Sequence, residues 1–192
     1  MTDRRTEILD AALHVLAEHG MRGLTHRAVD AAAGIATGST SYYFRSRSAL
    51  VAGCVERLLE VDLEVEAAAG AAVEGDLAAL VDVLVGVGVA LATTQRHRTL
   101  ARYELSLAAV RDAELRDGMV RAGDVIRARG ADALRAIGAT DAERASERLM
   151  AVLDGLVLTA LVRGPRDPAA LAAALRPVME RMVAAEPGVD RA

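Results

Sequence analysis

The sequence predicts an all-α protein of about nine helices, and three observations carry that prediction. Hydrophobic residues fill 53% of the 192 positions while aromatics fill only 2%. The apolar content is mostly Ala, Leu and Val, with only 4 Pro, a composition that favours packed helices over sheet. Apolar positions recur at helical spacing, and Gly, Ser, Thr, Asp and Pro stand where such segments begin and end. A chain of this length buries a sizeable core without a metal or disulfide staple.

The first helix runs from about Arg4 to His19 on Ile8, Ala12 and Leu16, with Gly20 closing it and Met21-Arg22-Gly23 as a turn. Thr25 caps a second, short helix whose inward positions are Ala28, Val29 and Ala32 and which ends at Gly34. After Ile35 and Ala36 comes a third short segment, Thr37 to Phe44. Helices of under about ten residues are not stable alone, so these two must pack on each other and on helix 1. The result is a tri-helical helix-turn-helix unit over residues 1–46.

Residues 47–192 form a larger helical domain. Ser46 caps a long fourth helix, Arg47 to about Ala69, with Leu50, Cys54, Leu58 and Leu59 inward and Gly70 and Gly75 bracketing its end. Further helices are expected at about Leu77 to Thr94, Thr99 to Val110, Ala113 to Ile137, Asp141 to Val162 and Pro168 to Ala185. Asp112, Thr140 and Asp167 suit N-caps, Pro168 the first helical position, and Gly138 and Gly164 helix ends. Pro187 stops the last helix, and Pro177 inside it should kink or split it.

The net charge of −4 argues at first against a nucleic-acid partner. The average hides a gradient: residues 1–50 hold six Arg against five acids, whereas residues 51–192 carry 17 Arg against 22 acids. Any nucleic-acid surface must therefore be local. Cys54, the single cysteine, has no thiol or histidine at metal-ligand spacing, so it reads as a small core residue and nothing points to an oxidising compartment. Met1 to Glu7 lacks the apolar run of a secretion signal. The most apolar stretches, Leu77 to Ala92 and Leu149 to Val162, fall short of the roughly 20 residues of a membrane span and contain Asp82 and Asp154. A cytoplasmic protein with no membrane partner is expected.

One segment is far more specific than composition. It reads Thr25-His26-Arg27-Ala28-Val29-Asp30-Ala31-Ala32-Ala33-Gly34-Ile35-Ala36-Thr37-Gly38-Ser39-Thr40-Ser41-Tyr42-Tyr43-Phe44-Arg45-Ser46-Arg47. A glycine followed by an aliphatic, then a short helix ending in Tyr-Phe, then a basic-Ser-basic step into a long helix, resembles without gaps the DNA-binding motif of the TetR family. The resemblance covers about 50 residues; downstream, only the all-helical layout agrees. A helix fits the major groove, and small polar side chains such as Thr37, Ser39 and Ser41, with Gly38, let its backbone come close to bases and phosphates. Backbone N–H groups at its start would add partial positive charge near phosphate.

Three of the four aromatics, Tyr42, Tyr43 and Phe44, cluster in this segment. The resemblance implies that Phe44 is core while Tyr42 and Tyr43 reach phosphate or thymine methyl groups. It also implies contacts from Arg27 and its neighbour His26 on the second helix, and a phosphate grip by Arg47. Either arginine alone would read as a solvated surface charge. In one respect the segment departs from the family, because Ala36 stands where a Ser often caps the reading helix. Either Thr37 caps one residue later or the cap is missing.

In the larger domain, Glu104 shares a helix face with Leu100 and Leu107, and Tyr103 lines up with Leu107 and Val110. A carboxylate among apolar residues needs a partner: a ligand, a buried arginine or a backbone group. Asp154 poses the same question among Met150, Val157, Leu158 and Leu161. Tyr103, Glu104, Leu107, Met150 and Asp154 are thus candidate contacts to a small, mainly apolar effector, with a satisfied core carboxylate as the alternative. The helix over Leu149 to Val162 is apolar on nearly every side and needs cover beyond its own domain. In the family the last two helices of each subunit pair across a two-fold axis. That makes Leu153, Leu156, Leu171 and Leu175 candidates either for a homodimer interface or for the subunit's own core, with Gly155 permitting close approach.

Enzymatic signals are lacking. The histidines, His14, His19, His26 and His97, offer no zinc-ligand spacing, and Gly86-Val87-Gly88 lies in an apolar helix with no preceding strand. No cofactor is expected. The resemblance implies a homodimeric repressor released from a near-palindromic operator by a small molecule; a helical ligand-binding or adaptor protein with a vestigial head is the alternative.

Overall fold

The computed structural model describes residues 3–70, 76–165 and 167–189, with the backbone alone for residues 66–70. Among the described residues there are nine α-helices and no strand. The first four are α1 (Arg4–Gly23), α2 (His26–Ala32), α3 (Ser39–Tyr43) and α4 (Arg47–Gly70). Then follow α5 (Leu77–Ala92), α6 (Arg96–Ala109), α7 (Ala113–Ala136), α8 (Ala142–Arg163) and α9 (Pro168–Ala184). No single helix among the described residues is long and apolar enough to cross a membrane.

Several ends follow local chemistry. Thr25 accepts the Ala28 amide at 3.1 Å, Ser46 the Ala49 amide at 3.1 Å, Asp112 the Leu115 amide at 3.1 Å and Asp167 the Ala170 amide at 2.8 Å. Each side chain thereby satisfies an orphan donor of the first turn. Asp76, at the head of α5, does the same for Ala78 at 3.0 Å. Gly75, expected to bracket the end of α4, lies outside the described residues.

Three expectations are corrected. Thr140 does not cap α8: its amide donates to the Pro187 carbonyl at 2.9 Å, and the helix starts behind Asp141, whose side chain makes no capping bond. Pro177 does not split α9, which runs from Pro168 to Ala184. Pro177 is exposed, and its ring removes one backbone donor from the helix without ending it. The third helix is shorter than expected and begins at Ser39 rather than Thr37.

The described residues pack as two compact units, the first of residues up to Asp62 with His97–Gly123, the second of Leu63–Arg96 with residues from Asp124 onward. These packing units cross the expected division between 46 and 47. In the first unit, Ile8, Leu9, Leu13 and Leu16 of α1 are enclosed with Val29, Phe44, Leu50, Cys54, Ala101 and Leu105. Fully burying a large aliphatic side chain contributes about 1.5–3 kcal/mol, so this core is what makes the two short helices possible. Burial pushes the Cys54 thiol up to about 12. Ion pairs at the rim of the unit include Arg57 Nε to Asp10 at 2.8 Å, Arg5 to Glu56 at 2.8 Å and Arg102 to Asp62 at 2.6 Å.

In the second unit, α5, α8, α9 and the end of α7 enclose Val81, Val85, Leu134, Leu149, Leu153, Val157, Leu171, Leu175 and Met179. Arg148 pairs with the buried Glu186, and Arg176 reaches Asp82 at 2.6 Å.

Candidate nucleic-acid interface

α2 and α3 are the shortest helices among the described residues, seven and five residues long, and neither is stable without its neighbours. Gly38 stands at the start of α3 with φ +94°, a left-handed conformation that a side chain disfavours. The cap of α3 resolves the question left by Ala36, because neither Ala36 nor Thr37 supplies it. Asp30, from the middle of α2, accepts the Gly38 amide through Oδ2 at 2.7 Å and the Thr40 amide through Oδ1 at 2.8 Å. Asp30 is only 3% exposed. Burial raises its carboxyl, but the nearby Thr40 hydroxyl, the two amides and the His26 imidazole outweigh it and hold the carboxyl below the ordinary Asp value. The Thr40 hydroxyl oxygen, fully enclosed, reaches no hydrogen bond of good geometry.

Two amides at the start of α3, those of Gly38 and Thr40, are therefore taken by a carboxylate rather than open to phosphate, and the expectation is corrected for these two. His26 also changes role. Its Nε2 donates to the Phe44 carbonyl at 2.7 Å, which ties the end of α3 to α2 rather than presenting the ring outward. Ser39 is half-buried, with its hydroxyl donating to the Ala36 carbonyl at 2.6 Å.

The outer face remains. Arg27, Thr37, Gly38, Ser41, Tyr42 and Tyr43 are exposed, while Thr40 and Phe44 point into the core. Tyr42 is 69% and Tyr43 42% exposed, although the chain has only four aromatics. The two rings meet edge to face with centroids 5.3 Å apart, and the Arg45 guanidinium lies 5.6 Å from the Tyr42 ring. Arg45 is a cation of this face that the sequence reading passed over. Arg47, expected to grip phosphate, donates instead to the Leu24 carbonyl at 3.3 Å and to the Met21 carbonyl, fastening the turn after α1.

The candidate effector residues fall in different units: Tyr103, Glu104 and Leu107 on α6 in the first, Met150 and Asp154 on α8 in the second. Of the partners considered for Glu104, the structure shows a backbone group, the Met21 amide at 3.1 Å. Gly20 breaks α1 at this point with φ +64°, and a Cβ on it would stand 2.9 Å from Glu104 Oε2. Leu107 is 63% exposed, so it lines no core; Tyr103 and Met150 are half-buried and Asp154 is exposed. Of the candidate interface residues, Leu153, Leu171 and Leu175 are at most 7% exposed within the single chain and Leu156 is half-buried. The first three are corrected to core residues. The apolar side chains that α8 leaves open are Leu158 and Val162, 50% and 71% exposed.

An all-helical chain that seats a five-residue helix on another short helix, its outer face lined with Ser, Thr, Tyr and Arg, is a helix-turn-helix DNA-binding transcriptional regulator. A profile of bacterial regulatory proteins of the tetR family matches residues 8–54, and one of the tetracyclin repressor-like C-terminal domain matches residues 75–185. The chain belongs to the TetR family.

Among solved structures, a TetR family member from Streptomyces coelicolor is 30% identical over 94% of this chain and 98% of its own, with a TM-score of 0.72. The multidrug binding protein EbrR complexed with imidazole is 31% identical over 95% of this chain and 96% of its own, with a TM-score of 0.66. The same protein complexed with ethidium gives 29% identity over 94% and 98%, with a TM-score of 0.71. No curated protein matches the chain.

Proposed function

We propose that this regulator acts as a homodimeric repressor, reading a near-palindromic operator through α3 and released from it by a small-molecule effector. The observation that carries the reading is the outer face of α3, where Tyr42 and Tyr43 stand exposed with Arg45 over the Tyr42 ring, on a head whose other large apolar side chains are mostly enclosed. Two-fold symmetry places the two reading helices in successive major grooves, roughly 34–36 Å apart. Residues 1–46 serve as the DNA-binding head and residues 47–192 bind the effector and dimerise. A protein reading chromosomal DNA works in the cytoplasm.

Likeness to a multidrug binding protein solved with ethidium supports a flat, cationic, largely apolar effector class. The proposal is tested in two arms: a gel shift of the full chain on the DNA upstream of its own gene against a scrambled duplex across a salt series, and a calorimetric titration of ethidium into the full chain without DNA, because ethidium intercalates into duplexes. Preference for the upstream duplex, affinity that rises as salt falls, and saturable ethidium binding to the protein alone are expected; binding insensitive to DNA sequence overturns the operator reading, and no heat from ethidium overturns the effector class.

A further inference from the structure

A five-residue helix cannot hold its own shape, and the way α3 is held is visible at both of its ends. At its start, the Asp30 carboxylate takes the Gly38 and Thr40 amides at 2.7 and 2.8 Å. At its finish, His26 Nε2 donates to the carbonyl of Phe44, the residue that closes the helix, at 2.7 Å. His26 and Asp30 are four residues apart on α2 and so stand on one face of that helix. One turn of α2 therefore spans the whole of α3.

We propose that His26 and Asp30 form a two-point clamp by which α2 sets the pose of α3, making them positioning residues for DNA sequence discrimination rather than DNA contacts. The inference rests on α3 being the reading helix. The clamp explains why Asp30 is tolerated on a DNA-binding head at all. A carboxylate close to the phosphates costs affinity for every sequence, yet this one is spent on the Gly38 amide and on the buried Thr40 amide, which would otherwise lack an acceptor. It exchanges general affinity for a fixed geometry. Discrimination among bases depends on side chains meeting base edges at hydrogen-bond distance, so a helix free to rock loses selectivity before it loses attraction to the backbone.

The test separates pose from charge and from folding. The wild-type full chain first selects a duplex from a random-sequence library; affinities are then measured for that duplex and for a scrambled one of the same composition at one salt concentration. Removing the charge in Asp30→Asn would, by Coulomb attraction alone, tighten binding to both duplexes. The clamp predicts instead that the ratio of the two affinities falls about tenfold while binding to the scrambled duplex holds or rises. His26→Ala should lower the ratio in the same way, and His26→Gln, which keeps an N–H donor, should restore part of it.

A purely structural role would scale both affinities with the folded fraction and leave the ratio unmoved, and that result overturns the proposal. Should the variants unfold, amide exchange of the wild type decides. The Gly38 and Thr40 amides must be protected as strongly as the core of α1, and exchange at the rate of open loop amides sinks the clamp. A wild type that selects no sequence at all overturns the DNA-reading assignment itself, a failure distinct from an unmoved ratio.

Discussion

At the scale of single residues, three charged side chains near α3 have separable duties. Arg27 is exposed on the outer face. Arg27→Ala should weaken binding to every duplex alike and lower the salt slope by about one, read from affinities across a salt series. Arg47 is committed to the Met21 and Leu24 carbonyls. Arg47→Ala should lower stability by about 1 kcal/mol in a thermal melt while leaving the salt slope intact. A flattened slope with an unchanged melt would return Arg47 to the phosphate. Asp30 sets a pH limit. Its carboxyl is held below the ordinary value, so its contribution is complete above the unfolded value near 3.9 and is lost as pH falls through the lower folded value. Protection of the Gly38 and Thr40 amides should therefore outlast the titration of ordinary carboxylates and vanish only at stronger acid.

At the scale of elements, Gly20 and Glu104 work as one joint. The helix break at Gly20 leaves the Met21 amide without a helical acceptor, and α6 supplies one. Glu104→Gln keeps an acceptor oxygen and should leave the melting temperature nearly unchanged, whereas Glu104→Ala should cost on the order of 1 kcal/mol. Equal losses would show that charge, not hydrogen bonding, is what α6 contributes. Helix existence and order were legible in the sequence because their signals are local: Thr25, Ser46, Asp112 and Asp167 each cap the helix that follows within three residues. The exposure of Tyr42 and Tyr43 and the burial of Phe44 agree with what the resemblance implied.

The clamp was not legible, because Asp30 acts across eight and ten residues of chain, and spacing within one helix does not reveal a partner in another. A signal did exist: Ala36 cannot cap, and an uncapped helix start implies an acceptor elsewhere. The duties of Arg47 and Glu104 were hidden for the same reason, each bonding to backbone 23 to 83 residues away.

At the scale of the whole molecule, the exposed Leu158 and Val162 on α8 mark where a second subunit would find apolar cover, since Leu153, Leu171 and Leu175 are already spent on the subunit's own core. Leu158→Glu should shift sedimentation at micromolar concentration from dimer to monomer and abolish operator binding without lowering helicity, because each head alone reads half a site. Leu175→Glu, by contrast, should unfold the second unit. The single thiol adds a clock to these experiments. Cys54 lies fully enclosed in the core of the first unit with its ionisation pushed far from neutrality, so an alkylating reagent can reach it only while that core is open. The labelling rate of the intact chain then counts openings of the first unit, which carries α2 and α3, and a bound operator that holds this unit shut should slow that count in proportion to its occupancy.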